Sequence, residues 1–169
     1  MPTQIVQGDT VRIAEIQSIA RRTWPSAYGE ILIPGQIDYM LGMMYSDEAL
    51  REQMSSKEHR FFIAEADGAS IGFASFQLDC PQPGFTKIHK LYVLPEAQHR
   101  GVGKHLLSHI RETVMETQQA LTLNVNKNNR ARSFYARLGF QVVGEEVIDI
   151  GNGYLMEDVI MRWDFAQSA

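Results

Sequence analysis

The apolar positions of this 169-residue chain fall into short alternating runs and helical stripes. Residues 3–7 read as a first strand. Asp9 is placed to cap a helix in which Val11, Ile13, Ile16, Ile19 and Ala20 recur at helical spacing, and Trp24-Pro25 is expected to break it. Pro34 suits the first turn of a second helix carrying Ile37, Met40, Leu41 and Met44 on one face. Ser46 or Asp47 opens a third, short helix through Leu50 and Met54. Residues 61–66 and 71–76, joined by Asp67-Gly68, read as a hairpin. Lys87-Ile88-His89-Lys90-Leu91-Tyr92-Val93 reads as a buried strand, and Leu106, Leu107, Ile110, Val114 and Met115 predict a helix from about 101 to 117. Leu121 to Val125 alternates as a strand. A short helix from about 129 to 138 follows, with Asn128 or Asn129 as its cap and Gly139 at its end. Residues 142–150 and 154–163 form a second hairpin around Gly151-Asn152-Gly153. The order is β-αα-ββ-β-α-β-α-ββ, an α/β (α+β) pattern read as a single domain over residues 1–169.

The segment Gln98-His99-Arg100-Gly101-Val102-Gly103 lies between a strand and a helix start. Free backbone N–H groups point outward at such a start, and the helix dipole adds roughly half a positive charge there. Gly101 and Gly103 let a ligand approach the backbone, and Arg100 and Lys104 add mobile positive charge. The expected guest is a pyrophosphate. A Walker loop is excluded, because Gln98 stands where its first Gly belongs and His105 where Ser or Thr belongs. A dinucleotide fingerprint is excluded by Leu106 in place of its third Gly.

A second segment runs Asn128-Asn129-Arg130-Ala131-Arg132-Ser133-Phe134-Tyr135-Ala136-Arg137-Leu138-Gly139-Phe140. With it the chain resembles the GNAT superfamily of acetyl-CoA-dependent N-acetyltransferases. In that family Q/R-x-x-G-x-G/A binds the pyrophosphate, matched here by Gln98, Gly101 and Gly103. Asn-x-x-Ala-x-x-Phe-Tyr-x-x-x-Gly-Phe forms a second cofactor-binding segment, matched by Asn128, Ala131, Phe134, Tyr135, Gly139 and Phe140. The match is close over residues 87–140 and loose over the first 55. The resemblance implies a central mixed, mostly antiparallel sheet flanked by helices, and acetyl-CoA as co-substrate held by residues 98–104, including His99 and Val102. Ile88-x-x-Leu91-Tyr92-Val93 and residues 101–107 are similar to the polyamine-acetylating branch.

Composition narrows the setting. Hydrophobic residues make up 44% and charged residues 21%, ordinary globular usage. The apolar runs are too short for a membrane span and there is no signal-peptide pattern, so a cytoplasmic location is expected. Cys80 is the only cysteine, which rules out an intrachain disulfide and a cysteine-based metal cluster. No metal is expected. The net charge of −4 has the wrong sign for general nucleic-acid binding. The oligomeric state stays open, a homodimer included.

Acetyl transfer requires removing a proton from an amine whose pKa lies near 10.4 and protonating a departing thiolate. The resemblance gives Tyr135 the second task, as general acid; the alternative is a packing residue. His89 lies on the strand expected to pair with the pantetheine arm. The polyamine branch often has Glu there to draw a proton through water, a task that histidine can share; a structural role is the alternative. Leu91, Tyr92 and Val93 offer an open backbone edge to pantetheine. Asn124 and Asn128 either bond the cofactor or satisfy a strand end and a cap. Trp24, Tyr28, Met40, Met43, Met44 and Tyr45 line an acceptor groove or form core. Glu157 and Asp158 can meet a cationic substrate. Three functions are therefore weighed. They are a small-molecule or polyamine N-acetyltransferase, a protein N-acetyltransferase acting on an N-terminus or lysine, and a non-catalytic acyl-CoA-binding domain.

Overall fold

The computed structural model describes residues 2–168. Its strands are β1 (Gln4–Gln7), β2 (Arg60–Ala66), β3 (Ala69–Gln77), β4 (Phe85–Val93), β5 (Ala120–Asn126), β6 (Gln141–Gly151) and β7 (Tyr154–Asp164). Its helices are α1 (Ile13–Tyr28), α2 (Pro34–Tyr45), α3 (Asp47–Met54), α4 (Val102–Val114) and α5 (Ala131–Leu138). The element order agrees with the sequence pattern. Two details differ. Asp9 caps a 3-10 turn, Thr10–Arg12, ahead of α1, which leaves Val11 85% exposed rather than on the apolar face. Pro25 sits inside α1 and does not break it. It lies in the last turn, where its missing N–H costs one hydrogen bond, and its own carbonyl still accepts from Gly29 N–H at 2.9 Å.

The strands form one seven-stranded sheet in the order β1-β2-β3-β4-β5-β7-β6. Every neighbouring pair is antiparallel except β4 and β5. One face is covered by α1 to α3, with Ile16, Trp24, Leu50, Phe61 and Phe73 at its centre. The other is covered by α4 and α5, with Leu106, Leu107, Ile110, Phe76 and Leu123 at its centre.

The feature that positions the site is a divergence. β4 and β5 pair only from Phe85↔Ala120 to Ile88↔Leu123. Beyond that point β4 continues to Val93 on β3 alone, and β5 continues to Asn126 on β7 alone. A bulge explains the parting. Phe76 faces Ile88 and Ser75 faces Lys90, so His89 is the extra residue on β4. An extra residue bends its strand and sharpens its twist. It also resets the alternation: Ile88 packs on the α4 side, whereas Lys90 reaches Gln53 of α3 on the other.

Candidate active site

The wedge between the parted strands opens at the start of α4. Gly101 caps that helix in a left-handed conformation (φ 77°), and a Cβ built on it meets nothing within 4 Å. The first backbone bond inside the helix runs from His105 N–H to the Gly101 carbonyl at 2.9 Å. The N–H groups of Val102, Gly103 and Lys104 therefore have no partner in the helix ladder. Gln98, His99, Arg100 and Lys104 are exposed around them. The Gln98 side chain donates to the Val93 carbonyl at 3.1 Å, tying this loop to the end of β4. At Gly103 the side-chain direction is taken by α5: a Cβ there would stand 3.1 Å from Phe134 Cζ, so its lack of a side chain serves the close approach of α4 to α5, while its backbone N–H stays with those of Val102 and Lys104.

Backbone alternation selects which β4 groups face the wedge. Leu94 N–H donates to the Ile71 carbonyl at 2.8 Å. In an antiparallel ladder Tyr92 and Lys90 then also turn their backbone groups to β3, while Leu91 and Val93 turn theirs to the side β5 has left. Leu91 and Val93 keep the expected backbone edge. Tyr92 does not: its backbone belongs to the sheet, and its hydroxyl meets that of Tyr28 at 2.9 Å.

Around this Tyr28–Tyr92 pair the structure gathers residues from distant parts of the chain. Tyr28, at the end of α1, feels the charge of Asp158 on β7 and has Asn129 of the β5–α5 turn beside it. Tyr135 of α5 is buried, flanked by the rings of Phe134 and Phe140. Burial, with Tyr28 adding to it, lifts the Tyr135 phenol above its usual range, so it holds its proton at neutral pH. Asp158 is buried too. Its Oδ2 accepts weakly from Asn124 Nδ2 at 3.4 Å, and its Oδ1 has no partner. Burial raises its carboxyl above the usual carboxylate range, with repulsion from Glu146 adding to this; Asn124 and Lys87 pull the other way. A buried acid with an unfilled acceptor atom is a place for an added donor.

Other expected residues fall elsewhere. Trp24 and Tyr45, 1% and 3% exposed, belong to the core with Phe73 and Tyr92 and line no acceptor groove. Asn124 is committed to the acid pair, donating to Glu146 Oε1 at 2.6 Å, and not to a cofactor. Glu157 is exposed and pairs with Lys127 at 3.2 Å. Asn128 lines two clefts of about 210 and 410 Å³ beside the β5–α5 turn, the smaller shared with Ser26, Glu30 and Arg130. Its neighbour Asn129 is the residue that caps the following turn, accepting from Ala131 N–H at 2.8 Å.

His89 does not sit as a general base should. Its ring stacks on His59 with centroids 3.9 Å apart, and its Nε2 bonds Gln77 Oε1 at 2.9 Å. Burial, then the charges of His59 and of Lys87, Lys90 and Lys57, lower its pKa to about 2. Such an imidazole stays neutral and takes up no second proton in the working range. Beside it Lys90, 4% exposed, donates to Gln53 Oε1 at 2.7 Å and lies over the Tyr45 ring. Sequence reasoning missed His59, Gln77, Lys87, Lys90 and Glu146, and gave Asn129 only as a cap. The lysines carried a signal, two bases inside an apolar strand run; the other three carried none.

An open strand edge leading to a helix start, with a buried tyrosine and an acid pair beyond it, suits a group-transfer enzyme with separate donor and acceptor sites. The chain belongs to the GNAT acetyltransferase family: the model of the acetyltransferase (GNAT) domain matches residues 36–157. It is 34% identical to the 5-NmdU N-acetyltransferase of Pseudomonas phage PaMx11, over 76% of this chain and 91% of that one. It is 27% identical to the spermidine N(1)-acetyltransferase of Thermoplasma acidophilum, over 82% and 86%. Among solved structures it superposes on the PaiA N-acetyltransferase of Thermoplasma acidophilum in complex with coenzyme A. That match has a TM-score of 0.81 and 24% identity, covering 98% of this chain and 100% of that one. The protein is an acetyl-CoA-dependent N-acetyltransferase, and its seven-stranded mixed sheet is the GNAT fold. The open Gly101 turn, the free N–H groups of residues 102–104 and the Leu91–Val93 edge fit a pyrophosphate followed by an amide-bearing arm. Among the described residues no helix is long and apolar enough to cross a membrane.

Proposed function

We propose that the enzyme acetylates a primary amine of a small molecule, with Asp158 receiving the ammonium. The observation that carries this is Asp158 itself: buried, with a raised pKa, an unpartnered Oδ1, and Tyr28 close by. An ammonium donates to Oδ1 and loses a proton toward it. The raised carboxyl pKa and the desolvation of the amine narrow the gap between the two groups. Tyr135 holds the proton that the leaving sulfur requires, and the Leu91–Val93 edge aligns the donor arm. His89 has no proton-transfer role in this scheme.

A polyamine, the acceptor of the Thermoplasma relative, belongs to the class considered. One acidic pair, Asp158 and Glu146, is enough for one ammonium. The test is thiol release from acetyl-CoA across a panel of primary amines that includes spermidine and a peptide N-terminus. Small amines are expected to turn over. Asp158→Asn should lower kcat/KM by about 10²–10³-fold while acetyl-CoA affinity stays within a few fold. Wild-type rates in Asp158→Asn, or turnover of the peptide alone, would overturn the reading.

A further inference from the structure

The sheet face that carries Asp158 carries a second, oppositely charged group of residues. Glu146 of β6 lies opposite Asp158 of β7, and Asn124 of β5 bonds both. On the same face β4 carries Lys87, in the stretch still paired with β5, and then His89 and Lys90, with Gln77 of β3 opposite Lys87 and His59 just before β2. Gln77 holds His89, and the two imidazoles stack. His59 Nδ1 is buried and has no partner. Lys57, in the turn after α3, and Lys87 both act on the two rings, and among the described residues neither lysine is in an ion pair with a carboxylate. A chain of net charge −4 thus concentrates positive charge without a carboxylate partner on one part of a sheet face whose other part is acidic. Lys87 lies within electrostatic reach of both parts, since its charge also acts on Asp158.

Two lysines without a carboxylate partner, beside the stacked rings, make a place for an anion rather than for a second cation. We infer that the acceptor is a zwitterion, an amino acid whose ammonium meets Asp158 and Glu146 and whose carboxylate meets Lys87 and the His59–His89 pair. This rests on the acceptor reading above and names the acceptor's second charge. A diamine places its distal ammonium against Lys87 and Lys57, where like charges repel.

The experiment compares 4-aminobutyrate, 5-aminovalerate and 6-aminohexanoate with alkylamines and diamines of matched length, for the wild type and for Lys87→Glu. At least one amino acid should exceed its matched diamine in kcat/KM by about tenfold or more, as expected for one charge-assisted contact. Lys87→Glu should invert that ratio, with acetyl-CoA affinity within a few fold serving as the control for folding. Diamines equal to or better than the amino acids in the wild type, or a ratio unmoved by Lys87→Glu, would overturn the inference and leave the amine acetyltransferase reading intact. If no small amine is acetylated, that reading fails and the inference falls with it.

Discussion

At the scale of single residues, burial decides function here. Tyr135→Phe keeps the ring against Phe134 and Phe140 and deletes only the hydroxyl. Its kcat should fall by about 10²–10⁴-fold with acetyl-CoA binding unchanged, read by steady-state kinetics and calorimetry. His89→Gln should leave the shape of the pH–rate profile between pH 6 and 9 unaltered, because a pKa of about 2 puts the ring's titration outside that window. An acidic limb that disappears in the variant would restore His89 as the base. Lys90 is a different case. Burial, with Lys57 adding repulsion, lowers its pKa from 10.5 to about 7, so the unfolded chain binds more protons than the folded one between those values. Wild-type stability therefore rises with pH across that range. Lys90→Met, which removes a desolvated ammonium, should be more stable by roughly 1–3 kcal/mol below pH 7, with the advantage closing toward pH 10 in urea titrations.

At the scale of elements, the two glycines of the α4 loop separate. Gly101 stands in open space with a left-handed backbone, whereas Gly103 lies against Phe134. Gly101→Glu adds bulk and negative charge where phosphates approach, and calorimetry should show acetyl-CoA affinity lost in a folded protein. Gly103→Ala brings a methyl to 3.1 Å from the Phe134 ring, and crowding there offsets the helix-propensity gain of about 1 kcal/mol. Its effect should appear in Tm and not in cofactor affinity, since the backbone N–H is kept; weakened binding at unchanged Tm would show that the added methyl meets the ligand. The bulge at His89 is the other decisive element feature. It parts β4 from β5 and turns Lys90 to the face opposite Ile88.

At the scale of the whole molecule, the acidic and basic ends of one sheet face give stability a pH dependence of known sign. Unfolded histidines take up protons near pH 6.5. In the fold His59 does so only near pH 4 and His89 near pH 2, both because burial disfavours the charged ring. The unfolded state thus binds more protons in that window, so their contribution is full above pH 6.5 and lost as pH falls below it. Asp158, whose pKa is raised, works against this by becoming less costly on protonation. The urea midpoint should drop between pH 7 and 5, and the double variant His59→Gln/His89→Gln should flatten that slope. An unchanged slope would show that the rings are not desolvated in solution.

The element order was legible in the sequence because it rests on hydrophobic period, and the proposed cofactor loop and the tyrosine of α5 could be singled out there because each rests on local information: a glycine at a helix start, a short run of adjacent motif residues. Asp158 was reachable as an acid in the last strand, though nothing local told it from Glu157. The rest needed the tertiary structure. Trp24 and Tyr45 became core because α1 and α2 close over Phe73 and Tyr92, a packing that helical spacing alone does not distinguish from a groove. Pro25 stayed helical because it fell in a last turn with one bond to lose. His89 changed from candidate base to neutral ring because a bulge and a residue 30 positions earlier in the chain, His59, set its surroundings. Periodicity reports which face a residue takes; the proton affinity of a side chain depends on desolvation and on charges brought together by strand pairing, and those exist only once the sheet has formed.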